Sequence, residues 1–390
     1  MYERDNKHQE IAEAISPGFF GVQIDCAQCH DHPLAYEIEQ SHYWGLVAFY
    51  NRGKNTKNKH GLHIKESAEG GFSKFTNALS GDALDNELTF LGKDVVIDDP
   101  LRPDESEGDE DNPDADSEET GDEPENEEKD KPKPKYITED ENGRKLDPPV
   151  PAFSRRKEFV EQVVRDNPLI ARAAVNRIWA LVMGRGISHP ADRMNSNYEP
   201  SHPELLDWLA RDFESNEFNV KRLLRNILLS KPYGLASTPA GDGADPATFA
   251  WALTKPLTAE ALYRSMLIVA DGNLDHESDT VLNAFQKQFS EVTPEETFFT
   301  LKQTLFLSNN QQLQRAIRTR ENSNLLRLAE NKNNNEVVGT AFQLAYGRQP
   351  DDQELDSCSL YLAERDDRRQ QAVEQMMWAL LNSAEFQYNH

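Results

Sequence analysis

The sequence predicts a mainly α protein in which a long acidic segment separates two helical regions, the first of which contains a small β element. Apolar residues recur at helical spacing in residues 40–51 and across residues 148–390. Short runs of alternating apolar and polar residues between 61 and 97 predict one or two β-hairpins. The chain has 390 residues, which is enough for two hydrophobic cores.

The first region, residues 1–97, begins with a helix that the pattern places at His8–Ile15. Ser16, Pro17 and Gly18 are expected to end it. Residues 40–51 form a second predicted helix whose apolar stripe is more often a core face than the wall of a cofactor site. The stripe consists of Tyr43, Leu46, Val47 and Tyr50. The basic stretch 51–58 is predicted to be a solvated loop.

The acidic segment, residues 98–147, is predicted to be a disordered linker. Residues 98–130 contain 18 Asp and Glu side chains and two basic ones, so −16 of the total net charge of −26 lies there. Its few apolar side chains cannot offset the entropy lost on ordering. The negative charge excludes a nucleic-acid-binding surface in this segment. No run of 18 apolar residues occurs anywhere in the chain, so no membrane span is predicted.

Residues 148–390 are predicted to be all helical. Asn167 is a predicted N-cap followed by Pro168, and Gly184 ends that helix. Ser201 and Glu204 have the spacing of a capping box. Later helices are predicted at 220–229, 258–270, 281–289, 325–330, 336–346, 351–363 and 370–381.

One pentapeptide, Cys26-Ala27-Gln28-Cys29-His30, has the C-x-x-C-H pattern of covalent c-type haem attachment. Two thiols at this spacing can each add to one vinyl group of a single porphyrin, and the next imidazole then becomes the proximal ligand of the iron. The pattern therefore predicts Cys26 and Cys29 as attachment residues and His30 as the axial ligand. His32 is displaced by Asp31 and constrained by Pro33, which leaves it for hydrogen bonding.

The same atoms permit other sites. Cys26, Cys29, His30 and His32 form an alternative site for structural zinc or iron, in which His42 or His63 can also supply a ligand. A redox pair or an inert pair of thiols is a further alternative, although a redox C-x-x-C usually follows a strand in a βαβ unit that is not evident here.

The second axial ligand is left open among several residues. No methionine occurs between His30 and Met183, so the candidates in the first region are histidines, namely His42, His60 and His63. Met183, Met194 and His202 qualify if the helical domain docks over the haem. A five-coordinate iron is also compatible with the sequence.

The strings at 21–33 and 43–50 resemble the planctomycete cytochrome-like domain of unknown function. Five later strings resemble the planctomycete-specific C-terminal domain that is fused to it, at 167–169, 174–179, 184–186, 201–210 and 378–386. The resemblance implies a cytochrome-like α domain at 1–97, a linker at 98–147 and an all-α domain at 148–390. It also implies that the first domain is truncated at its N-terminus.

The expected function is c-type haem binding and one-electron transfer with a redox partner protein in an exported system. The alternative is a non-catalytic interaction module with a structural metal. No G-x-S-x-G, P-loop or H-E-x-x-H motif is present, so the sequence names no nucleophile or base for an enzyme. Haem attachment of this kind takes place outside the cytoplasm, although the chain itself starts without an export signal.

Overall fold

A computed structural model describes residues 7–58, 61–98, 136–239, 241, 244–289 and 301–389. The prediction of a mainly helical protein is confirmed in these residues. The helices are α1 (His8–Ile15), α2 (Gln40–Tyr50), α3 (Arg155–Glu158), α4 (Pro168–Met183), α5 (Pro203–Ser215), α6 (Val220–Leu228), α7 (Ala259–Asp271), α8 (Asp279–Gln288), α9 (Leu301–Asn309), α10 (Gln311–Ala316), α11 (Asn324–Glu330), α12 (Asn334–Tyr346), α13 (Asp352–Ala363), α14 (Arg369–Leu381) and α15 (Ala384–Gln387).

The strands pair in antiparallel hairpins and short ladders of two strands each. The pairs are β1 (Gly53–Asn58) with β2 (Gly61–Glu66), β3 (Lys74–Thr76) with β4 (Ala83–Asp85), β5 (Tyr136–Glu139) with β6 (Lys145–Pro151), and β7 (Lys255–Pro256) with β8 (Tyr388–Asn389). The predicted hairpin element between 61 and 97 is therefore present. The predicted loop at 51–58 is wrong, because β1 pairs along its whole length with β2.

The described residues divide into two compact units. The first contains Met1–Val175 and Ser188–Phe218, and the second contains Asn176–Ile187 and Asn219–His390. The division does not coincide with the predicted boundary at 148, because long-range contacts such as the 2.7 Å hydrogen bond from Met194 N to Gly21 O group residues 188–218 with the N-terminal region.

The core of the first unit is built on α1 and α2. The predicted stripe of α2 is a core face, since Tyr43, Leu46, Val47 and Tyr50 are all buried. Aromatic rings from separate segments close this core, with Phe20 and Phe90 centroids 4.8 Å apart. The predicted bounds of α1, His8–Ile15, are confirmed. A π-helical turn, which the sequence did not predict, follows directly at Ser16–Phe20, and Phe20 is fully buried.

Most of the predicted linker, residues 99–135, lies outside the described residues. Its last part does not fit the prediction of disorder, because residues 136–151 form the hairpin of β5 and β6. The Tyr136 hydroxyl accepts a 3.0 Å hydrogen bond from Ala68 N and so joins the hairpin to another segment of the first unit. Prolines in β6 are tolerated because an edge strand needs fewer donors.

Local capping signals place several helices correctly. Asn167 Oδ1 accepts from Leu169 N at 3.0 Å at the start of α4, and Gly184 follows that helix with φ +83°. Asn219 and Thr258 cap α6 and α7. The capping box predicted at Ser201 is wrong, because Pro203 occupies the first helical position and shifts the N-cap to His202.

The core of the second unit is made by apolar faces of α7, α8 and α11–α14. Among the described helices, none combines the length and the apolar character that crossing a membrane requires.

Candidate functional site

The C-x-x-C-H motif lies on a short 3-10 turn, Asp25–Gln28, with Cys29 as its C-cap. Ala27 points into the core and is fully buried, so it anchors the turn. Cys26 and Cys29 are both exposed free thiols. The turn therefore presents the two sulfur atoms to solvent while its backbone is held against the core.

Gln40, at the first position of α2, holds the motif in place and is 4% exposed. Its Nε2 lies 3.4 Å from Gln28 O, 3.2 Å from Cys29 O and 3.0 Å from Thr76 O. Its Oε1 accepts from Ala78 N at 3.2 Å. One buried amide thus joins the motif to the β3–β4 hairpin.

Trp44 and Asp31 add two further ties. Trp44 Nε1 donates to Gln28 O at 3.1 Å, and its ring stacks on Phe75 with centroids 6.4 Å apart. Asp31 Oδ1 accepts from Gln40 N at 2.8 Å. Sequence reasoning did not find Gln40 and Trp44, although their i, i+4 spacing, which puts both on one face of α2, is a usable signal.

The His30 ring has a defined hydrogen-bond geometry. Its Nδ1 lies 2.7 Å from the carbonyl oxygen of Asp31. Because a carbonyl oxygen only accepts, Nδ1 is the nitrogen that carries the proton in the neutral ring, and the lone pair is then on Nε2. Histidines that bind metals usually donate their other N–H in this way. His30 is exposed, so Nε2 is accessible from solvent.

The His32 ring has the opposite arrangement. Its Nδ1 accepts from Leu34 N at 3.2 Å and from Ala35 N at 2.9 Å. In the neutral ring the proton is then on Nε2, so neither nitrogen offers a lone pair to a metal. The prediction that His32 is left for hydrogen bonding fits this geometry, and the donors are the backbone N–H groups of Leu34 and Ala35.

The hydrogen bonds of His32 leave it without a lone pair for the alternative metal site at Cys26, Cys29, His30 and His32. Within the described residues, which include all four, no group of three or more His, Cys, Asp or Glu side chains is arranged to hold a metal ion. Haem attachment makes a smaller demand on the protein, since it needs two accessible thiols and one imidazole. The residues present fit that demand.

Of the first-region candidates for the second axial position, His42 is engaged elsewhere. Its Nδ1 accepts from Glu39 N at 3.0 Å in a capping box at the start of α2. Burial lowers the pKa of His42. His60 lies outside the described residues. His63 pairs with Thr56 in the β1–β2 ladder.

The other candidates lie elsewhere in the two units. Met183 is buried in the second unit. His202 belongs to the first unit and lies with Nδ1 3.0 Å from Ser201 Oγ. Met194, also in the first unit, packs against Gly21, where an added Cβ would meet its sulfur at 2.9 Å. The structure therefore assigns no second ligand.

Comparison with protein-family models finds two matches. Residues 2–55 match PSCyt2, "Protein of unknown function (DUF1549)", and residues 155–297 match PSD1, "Protein of unknown function (DUF1553)". The resemblance to two planctomycete-type domains of unknown function is thus confirmed over these ranges. Neither description names a cofactor. Comparisons with curated proteins and with solved structures found no match.

Proposed function

We propose that this protein binds haem covalently through Cys26 and Cys29, with His30 as the proximal ligand, and transfers single electrons. The observation that carries the proposal is the His30 hydrogen bond to Asp31 O, at 2.7 Å, which in the neutral ring leaves the lone pair on Nε2 of the residue directly after a pair of exposed thiols at haem-attachment spacing. A bound haem supplies an iron that takes up and releases one electron.

The chain's own residues have three roles in this proposal. The thiols of Cys26 and Cys29 each add across a vinyl C=C bond, so that a C–S bond forms and the thiol hydrogen goes to the other vinyl carbon. His30 presents Nε2 to the iron. Gln40 and Trp44 hold the carbonyls of the turn, which keeps the thiols and the imidazole in a fixed relation.

Electron transfer implies a redox partner protein, and thioether attachment implies export from the cytoplasm. Both belong to the proposal. The exposed position of the motif supports the redox partner, since an electron carrier needs its cofactor near a surface that a partner can reach.

The first test measures covalent haem. The chain is exported with a c-type maturation system, then analysed by haem staining after denaturing electrophoresis and by the pyridine haemochrome spectrum. Cys26→Ala and Cys29→Ala each remove one thioether bond, so each should reduce the haem staining that survives denaturation. The double variant should show none. Cys358→Ala is the matched control, because it removes the third cysteine and should leave staining unchanged. A colourless wild-type protein, or staining that survives the double variant, overturns the proposal.

The second test separates His30 from His32. His30→Ala should abolish the spectrum of imidazole-ligated haem, whereas His32→Ala should retain it. Metal analysis of the same proteins tests the alternative: equal loss of bound zinc or iron from two colourless variants would favour the metal site at Cys26, Cys29, His30 and His32.

A further inference from the structure

Large apolar side chains are unusually exposed around the motif. The four most exposed ones in the described part of the first unit are Leu34, Tyr36, Leu79 and Ile97, at 61%, 82%, 89% and 83%. Leu34 and Tyr36 follow His30 by four and six residues. Leu79 follows Ala78, whose N–H donates to the same Gln40 side chain that holds Cys29 O. Three of the four are therefore next to segments tied to the motif.

The backbone of residues 32–38, the flank loop, is held in place. His32 N donates to Ile38 O at 2.9 Å and closes the loop. His32 Nδ1 accepts from two N–H groups inside it. Ala35 and Ile38 are fully buried. Hydrogen bonds hold the loop at its base, and Ala35 and Ile38 fix it in the core. The fold therefore holds the side chains of Leu34 and Tyr36 in exposed positions.

A further tie is made by Glu37. Its carboxylate accepts from Ser196 N at 2.6 Å and from Ser196 Oγ at 2.7 Å. Partial burial raises the pKa of Glu37, but these two hydrogen bonds outweigh it, and the pKa lies below the usual value. The flank loop thus has an anionic anchor directly between the exposed Tyr36 and the buried Ile38.

The distance to the motif is limited by the chain. Leu34 is four residues from His30, so their Cα atoms are at most about 14 Å apart. Asp31, at the base of the flank loop, bonds to Gln40 N, and Gln40 bonds to Cys29 O. A flat apolar group fixed to Cys26 and Cys29 is therefore within reach of the loop.

We propose that Leu34 and Tyr36 of the flank loop, together with Leu79, form the apolar cover of the tetrapyrrole held at Cys26 and Cys29. This inference rests on the proposed function. An apolar cover excludes water from the macrocycle and disfavours the more highly charged ferric form. It raises the reduction potential and limits access of hydrophilic reagents. His32 and Glu37 are positioning residues, since they act through the flank loop.

The test uses the exported holoprotein and three single variants, Leu34→Ser, Tyr36→Ser and Leu79→Ser. Each should keep covalent haem staining, lower the reduction potential and react faster with a hydrophilic reductant. Ile97→Ser is the matched control, because Ile97 is equally exposed but precedes Asp98, which Arg52 and Arg155 hold. It should match the wild type in all three measurements.

The outcomes separate the two proposals. Wild-type protein without haem contradicts the proposed function. Stained protein whose potential and reduction rate are the same in all four variants contradicts the apolar cover alone. Ser196→Ala gives a second check, because it removes the hydroxyl that donates to Glu37 and leaves only the backbone N–H bond. The weakened anchor should shift the potential in the same direction by less than Tyr36→Ser does.

Discussion

Each compact unit contains a network of arginine and carboxylate side chains, and the two networks differ in composition and burial. In the first unit Arg52 and Arg155 share one carboxylate, Asp98, and the three side chains are 0%, 3% and 14% exposed. In the second unit Arg348 is shared by Glu354 and Glu385, and the side chains are 30–39% exposed.

The buried network joins distant segments. Arg52 Nε donates to Gly70 O at 2.8 Å, and Arg155 Nη1 donates to Ala48 O at 2.9 Å and Gly71 O at 2.8 Å. The exposed network joins the end of α12 to α13 and α15. These three helices already pack against one another through buried apolar side chains. The difference indicates that the first unit depends on buried polar side chains where segments distant in the chain meet.

The largest effect is expected from Asp98→Asn. This change removes the carboxylate that two neighbouring, buried guanidinium groups share, and we expect it to lower the free energy of unfolding by about 3–5 kcal/mol. Asp85→Asn is the control, since Asp85 pairs with Lys74 on the surface and should cost about 1 kcal/mol or less. Urea unfolding followed by circular dichroism measures both. If both variants lost the same small amount of unfolding free energy, the buried ion pairs of Asp98 would contribute no more to stability than an exposed pair does.

The next effect is expected from Gln40→Ala. The change leaves the carbonyls of Gln28, Cys29 and Thr76 without this donor, at an expected cost of about 2–4 kcal/mol. Because the same amide holds the motif, labelling of Cys29 by a thiol reagent should change as well. Gln9→Ala, at an exposed position of α1, is the matched control. A stable variant with unchanged labelling would mean that Gln40 does not position the motif.

The sequence predicted what depends on neighbouring residues. Asn167 was predicted as the N-cap of α4, and the predicted ranges 220–229 and 258–270 place α6 and α7 to within one residue. Capping and helical periodicity both act within a few residues, so they can be read from the sequence. The C-x-x-C-H motif was visible for the same reason, since its chemistry depends on spacing alone.

The parts that were missed depend on distant partners. Strand β1 is rich in lysine and asparagine and has no alternation, so only its pairing with β2 reveals it. The hairpin at 136–151 was divided between the predicted linker, which ends at 147, and the predicted all-helical region, yet its strands pair with each other and Tyr136 bonds to Ala68. The role of Gln40 requires three segments to meet, which no local pattern records.

The smallest effect is expected from Glu354→Gln in the exposed network. Gln retains the acceptor that completes the capping box with Asp351, so the change removes mainly the charge interaction with Arg348. An exposed pair of this kind contributes about 0.2–1 kcal/mol.

Hydrogen bonds from Arg348 lower the pKa of Glu354 to about 2 from the ordinary 4.5. A lowered carboxyl pKa stabilises the fold above the unfolded value and loses that contribution as the pH falls towards the folded value. Urea unfolding should therefore show a small deficit at pH 7 that shrinks between about pH 4.5 and 2, and that high salt also reduces. Glu364→Gln, in the exposed pair with Arg365, is the control for the loss of one exposed acidic charge and should cost no more than Glu354→Gln at pH 7. A deficit as large as that of Asp98→Asn would mean that the exposed network supports its unit as strongly as the buried one does.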